Sequence, residues 1–172
     1  MTESSGSGAV ARALEVVHRV EDAVLALLLG LMILLAPLQI FLRNFFDAGI
    51  TWADPMLRVL VLWVGLLGAV AASRGDRHIT IDILSKLISE RARAAVGFAT
   101  GLFTAAVSAI VAYHAGRFVA SEHAYQSVAF SGIQAWIFEI IIPFAFGVIA
   151  LRYLLGCTSH LGVLLGWRRR EE

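Results

Sequence analysis

The sequence predicts an all-α integral membrane protein: a four-helix bundle with short interfacial amphipathic helices and both termini cytoplasmic. Three observations predict it. The chain is 59% hydrophobic, with a mean hydropathy of +0.79. Only 16% of its residues are charged, against about a quarter in soluble domains. Its apolar residues gather into four long runs, and its basic residues gather between alternate runs. The net charge is +1, so no whole-chain field points to nucleic acid.

The four runs cover residues 23–42, 52–73, 94–116 and 133–156. At 1.5 Å per residue, each is long enough to cross a hydrocarbon core of about 30 Å. In lipid the backbone must satisfy its own hydrogen bonds, which predicts helices rather than strands. The first run is too long for the apolar core of a signal peptide, and no small-x-small cleavage site follows it before Arg43. It reads as a retained helix. Residues 23–156 therefore form the four-span membrane domain, and 157–172 a cytoplasmic tail.

Residues 1–8 are rich in Ser and Gly and are expected to be a disordered leader. Residues 9–22 read as an amphipathic helix lying on the membrane surface. Val10, Leu14 and Val17 share its apolar face. Glu15 with Arg19, and His18 with Asp22, stand four residues apart on the other.

Orientation follows from lysine and arginine. Arg12 and Arg19 precede the first run. Arg74, Arg77, Lys86, Arg91 and Arg93 lie between the second and third, and Arg152, Arg168, Arg169 and Arg170 lie at or after the end of the fourth. The opposite loops hold Arg43 and Arg117, and Arg58 sits within the second run. Both termini and the middle loop are thus expected in the cytoplasm. Loops 43–51 and 117–132 are expected outside.

The middle loop begins with a tight turn around Gly75 and Asp76. It continues as a short interfacial helix over 79–90, with Ile79, Ile83, Leu84, Leu87 and Ile88 on one face. Asp82 with Lys86, and Lys86 with Glu90, support it at four-residue spacing. Structural bracing and partner docking are both open to this helix.

Ionisable residues inside membrane runs are functional candidates by default. Asp54 and Arg58 are one turn apart near the outer end of the second span, where they can pair. They read either as an internal salt bridge or as a polar contact with a neighbouring membrane subunit. Glu139 lies in the fourth run, four residues before Pro143. Pro143 cannot donate to the Glu139 carbonyl, so a kink is expected there. A carboxylate at a kink suits a proton or ion site, or a neutralised acid bonded to a neighbour.

The five histidines offer no pair at matched mid-membrane depth, as a bis-histidine haem would require. Cys157 is the single cysteine, which excludes a disulfide within the chain and a cysteine-based metal site. No nucleophile–base set, Gly-rich phosphate loop or metal-ligand motif is present, and an enzyme is not expected. Gly97 and Gly101 open a small-residue stripe that continues through Ala105 and Ala109, suited to close helix packing within the bundle or at a subunit contact. Trp52, Trp136 and Trp167 fall near predicted interfaces, whereas Trp63 falls mid-span.

Several of these residues together resemble a known family. Trp52, Asp54, Arg58, Trp63, Gly68-Ala69, Arg74, His78-Ile79 and Asp82, with Pro143 and Gly147 in the last span, resemble the small membrane subunit of tripartite ATP-independent periplasmic (TRAP) transporters. Pro55 departs from the pattern, standing where a second acidic residue often follows the first.

The resemblance implies a small scaffold subunit of a sodium-driven importer of an organic acid anion. A periplasmic binding protein would deliver the substrate, and a large elevator-type permease subunit would carry the substrate and sodium sites. No cofactor or metal is then expected on this chain, and the location would be the bacterial inner membrane. Trp52, Asp54, Arg58, Trp63, Gly97, Gly101 and Glu139 become candidates for contact with the large subunit or lipid headgroups. Arg74, His78 and Asp82 would belong to a cytoplasmic brace. Glu122 and His123 would help to dock the binding protein. Two other functions remain open: an autonomous ion- or proton-coupled transporter using Glu139, and a cytochrome-type membrane anchor.

Overall fold

The computed structural model describes residues 4–74 and 90–164. Five helices and one small hairpin follow in order: α1 Ser4–Phe45, α2 Ala53–Ala72, α3 Glu90–Tyr125, β1 Val128–Phe130, β2 Ile133–Gln134, α4 Ala135–Glu139 and α5 Ile141–Leu164. Four stretches are long and apolar enough to cross a membrane: Glu15–Phe45, Ala53–Ala72, Ala94–Tyr125 and Ala135–Thr158. The all-α membrane architecture expected from the sequence is therefore present. His78, Asp82 and the expected interfacial helix over 79–90 lie outside the described residues, apart from Glu90, which opens α3. Trp167 and the arginines after it also lie outside.

Three boundaries differ from expectation. The turn expected near residue 22 is absent: α1 is one helix, and residues 4–8 of the expected disordered leader belong to it. Extending an existing helix costs far less than nucleating a new one, so the leader continues the apolar run behind it. Even Pro37 lies within α1 without ending it. The third helix runs on to Tyr125, nine residues past the expected boundary at 116. Arg117, Glu122 and His123 therefore sit on its last turns rather than in a loop. The fourth span breaks at Ile140, between α4 and α5. Pro143 has no amide hydrogen for the Glu139 carbonyl, and the break falls where that missing bond puts it.

The hairpin was not legible in the sequence. β1 and β2 pair antiparallel, with Phe130 opposite Ile133, around the two-residue turn Ser131-Gly132. Both turn residues have positive φ, 50° and 79°, as the tightest hairpin turns require.

α1 packs on α2, α2 on α5, and α5 on α3, so α1 and α3 occupy the two ends of the succession. α2 and α5 run parallel. Trp63 meets Phe138 of α4, just before α5, and Val70, farther along α2, meets Arg152 farther along α5. The apolar core is thin: Val70, Ala145 and Ile149, flanked by Leu66, Val148 and Tyr153. Lipid tails are as apolar as leucine, so burial alone does little to hold such helices together. Polar ties and close small-residue contacts must supply the difference.

Candidate functional site

The charged and polar residues gather around the two ends of α2. Near the hairpin end, Gln39 of α1 is 5% exposed in an otherwise apolar run. Its Nε2 donates to the Ile50 carbonyl at 3.2 Å, and its Oε1 accepts from the Ile50 amide at 3.1 Å. One side chain thus engages both backbone groups of a loop residue, whose carbonyl also accepts from the Ala53 amide at the start of α2, at 3.0 Å. Nε2 also lies 3.4 Å from Asp54 Oδ1. The other carboxylate oxygen, Asp54 Oδ2, accepts from Arg43 Nη2 at 2.9 Å.

Of the two readings open to Asp54 and Arg58, this arrangement rules out the internal salt bridge between them. Asp54 faces α1 and is taken by Arg43 and Gln39. Arg58 is exposed and has no ion pair or hydrogen bond among the described residues. The four-residue spacing permitted a bond, but the loop brings a second arginine to the same carboxylate. Trp52, 44% exposed, stands at the mouth of α2.

Trp63, a candidate for subunit or lipid contact, has a partner within the chain. It is half-buried, and its Nε1 donates to the Phe138 carbonyl at 2.9 Å, tying α2 to α4. It therefore faces a neighbour within the chain rather than lipid. Glu139 follows Phe138 at the end of α4, and its Oε2 is buried without a hydrogen-bond partner. On α3, His123 lies against Trp136 with ring centroids 5.0 Å apart and the ring planes tilted by 50°. Trp136 Nε1 in turn donates to Gln134 Oε1 at 2.6 Å, fixing the indole against the hairpin. Glu122, one residue earlier, is half-buried.

At the other end, three helices meet through a cluster that the sequence did not disclose. Arg152 of α5 donates through Nη2 to both oxygens of Glu21, at 3.0 and 3.2 Å. Its Nη1 donates to the Val70 carbonyl and, at 3.2 Å, to Ser73 Oγ. Arg74, at the end of α2, lies 2.6 Å from Glu21 Oε2. That contact is ionic rather than a directed hydrogen bond, because Nη2 is not aligned on the oxygen. Arg74 Nη1 donates to Asp22 Oδ1 at 2.6 Å. Asp22 thus serves α2 rather than the expected His18, whereas Glu15 and Arg19 do pair at 2.7 Å.

Arg74, expected in a cytoplasmic brace, is a member of this three-helix tie. Glu21 and Arg152 were the missed residues. An arginine among the apolar residues of the fourth run was the one available sign.

The small-residue stripe is used within the chain. A Cβ on Gly101 would stand 3.0 Å from Cys157 Sγ, and Ala105 is buried at 1% exposure. Cys157 Sγ lies 3.8 Å from the Phe98 carbonyl. Gly101 is therefore spent on α3–α5 packing and is withdrawn from the subunit-contact candidates. Gly97 is half-buried on the same side, and Ala109 faces outward. Among the described residues, no group of three His, Cys, Asp or Glu could hold a metal ion.

Fold and site together define a multi-spanning helical membrane subunit whose polar groups mainly tie its own helices together. The chain belongs to the DctQ component family of tripartite ATP-independent periplasmic transporters, the small permease, whose profile matches residues 32–161. A protein of Haemophilus influenzae (strain ATCC 51907 / DSM 11121 / KW20 / Rd) described as a TRAP transporter small permease is 31% identical over 75 residues. That match covers 44% of this chain and 47% of the relative. The sialic acid TRAP transporter permease protein SiaT of H. influenzae (strain 86-028NP) is 34% identical over 55 residues, covering 32% of this chain and 9% of SiaT. The matched segments thus span less than half of either relative.

Proposed function

We propose that this chain is the static scaffold subunit of a TRAP transporter, bracing a large elevator-type permease subunit in the bacterial inner membrane. The permease carries the substrate and sodium sites, and a periplasmic binding protein delivers an organic acid anion. Both termini of this chain are cytoplasmic, in keeping with its arginine distribution. One observation carries this reading. The polar groups at both ends are spent on joining helices, through Glu21, Arg74 and Arg152 at one end and Gln39, Arg43 and Asp54 at the other. Long apolar faces on α1 and α3 meanwhile stay open, as at Leu34, Ile40, Phe103 and Ile110. Such a body suits bracing rather than conduction.

The test is reconstitution. Proteoliposomes holding the large permease alone, this chain alone, or both are supplied with loaded binding protein and a sodium gradient. Uptake is expected only when both are present. Uptake by this chain alone would overturn the scaffold reading. The buried, unpartnered Oε2 of Glu139 favours one alternative, an autonomous coupled transporter. In that case this chain would carry solute unaided, and Glu139→Gln would abolish the transport.

A further inference from the structure

α2 has one exposed line along its length: Arg58, Val61, Gly65 and Ala69, spaced three to four residues apart and so sharing a face. On its other sides Leu60 and Val70 are buried, and Trp63 is bonded to Phe138. Arg58 is the single charged residue between Asp54 and Arg74. By helical rise it lies about 7.5 Å along the axis from Ala53. The carboxylate that local spacing offers it is occupied on both oxygens, by Arg43 and Gln39. α2 therefore presents an uncompensated guanidinium at the head of an otherwise apolar exposed line within a membrane span. A charge so placed attracts an opposite charge strongly, because little water screens it.

We infer that this line of α2 is the seat of the large permease subunit, through a membrane helix that brings an aspartate or glutamate to the level of Arg58. The inference rests on the scaffold reading above. A lipid phosphate would satisfy Arg58 alone and leave Gly65 and Ala69 unexplained deeper in the span. A helix satisfies the whole line, with a carboxylate at Arg58 and close backbone approach at Gly65, where a Cβ would meet nothing within 4 Å. The outer faces of α1 and α3 are wider, but Leu34, Ile40, Phe103 and Ile110 there ask for nothing that lipid tails do not supply.

The test uses the full chain, tagged and coexpressed with its large permease, and purified in mild detergent. A photocrosslinking phenylalanine analogue is placed at Val61 or, as the contrast, at Ile110 of α3. The Val61 probe is expected to crosslink to the permease and the Ile110 probe is not. Arg58→Glu is expected to lower copurified permease by about tenfold or more, because it sets like charges together. Arg58→Lys, which keeps the charge, is expected to lower it less. An acidic-to-arginine change at the crosslinked permease position is expected to restore binding to Arg58→Glu.

Crosslinking from Ile110 and not Val61, with the wild-type complex intact, would overturn the docking face and leave the scaffold reading standing. So would unchanged copurification of Arg58→Glu accompanied by loss of bound anionic phospholipid in native mass spectrometry. If the wild-type chain brought down no permease, both readings would fall. Should Arg58→Glu not fold, the Val61 probe decides, since it leaves the charge in place.

Discussion

Glu21 of α1 and Arg152 of α5 stand 131 positions apart in sequence and 3.0 Å apart in space. Arg152 uses the rest of its guanidinium on the Val70 carbonyl and Ser73, so one side chain holds α1 and the end of α2 against α5. The fixed fork of donors on arginine makes that triple engagement possible, and lysine has no equivalent geometry. With Arg74 and Asp22 the cluster contains two cations and two anions. Balance is what makes partial burial tolerable, because a lone charge there would lose its hydration without compensation.

Replacing Glu21 is therefore expected to be the most damaging single change in the cluster. Glu21→Gln leaves Arg152 and Arg74 with only Asp22 between them. Both arginine side chains are mostly shielded, at 21% and 15% exposure. Removing one partner of such a group costs about 3–5 kcal/mol. Thermal unfolding in detergent is expected to show a clear drop for Glu21→Gln. The Glu21→Met/Arg152→Met double variant should lose less than the sum of the two singles. A double variant that lost the full sum would mean the two residues do not act through each other.

Gln39 predicts an ordering at the opposite end. Gln39→Leu leaves the Ile50 N–H without its partner, at about 1–3 kcal/mol for a buried group left unsatisfied, while the Ile50 carbonyl keeps the Ala53 amide. Asp54→Asn weakens a pair in which Arg43 and Asp54 are 64% and 47% exposed, and exposed pairs are worth about 1 kcal/mol or less. The loss of stability is expected to be larger for Gln39→Leu. Hydrogen exchange at the Ile50 amide should speed up in that variant and change little in Asp54→Asn. The reverse order would show that the ion pair, not the amide clasp, closes the loop.

Trp63 makes a similar claim about α4. Trp63→Phe keeps a ring of comparable bulk but removes the donor to the Phe138 carbonyl, for a cost of about 1 kcal/mol. The effect should concentrate on the short α4 rather than on the whole fold. Faster exchange at the amides of Phe138 to Ile140, with a small shift in melting temperature, is the expected result. Uniform loss across all helices would show that the indole acts through bulk packing instead.

What could be read from the chain divides along physical lines. The four spans were legible because a bilayer demands about 20 apolar residues whatever surrounds them. The Glu15–Arg19 pair was legible because both partners lie on one turn of one helix. The kink near Glu139 followed from the chemistry of Pro143 alone. The partner of Asp54 was not legible for the converse reason: local spacing offered Arg58, whereas the loop between α1 and α2 delivered Arg43 to the carboxylate. Glu21 with Arg152 and Trp63 with Phe138 depend on which helices become neighbours, and hydropathy is silent on that. The extension of α3 past Gly116 escaped because apolar run length marks where lipid ends, not where a helix does.

Gly101 offers the sharpest test of how α3 and α5 are joined. A methyl group added there would approach Cys157 Sγ to 3.0 Å, closer than a carbon and a sulfur settle without movement. Cys157 is itself 6% exposed and lies against the Phe98 carbonyl, so it has little room to yield. Gly101→Ala is expected to be tolerated with a modest loss. Gly101→Leu should cost about 1–3 kcal/mol or more, since overpacking forces the backbones apart. Prising α3 from α5 should also expose the thiol. Cys157 in the wild type is expected to react slowly with a maleimide in detergent, and in Gly101→Leu quickly. Adding Cys157→Ala to Gly101→Ala should recover the stability that Gly101→Ala alone loses, because it removes the colliding sulfur. If that second change instead deepened the loss, the contact between Gly101 and Cys157 would be a favourable one with slack in it, and the close approach of α3 to α5 would rest on other residues of the stripe.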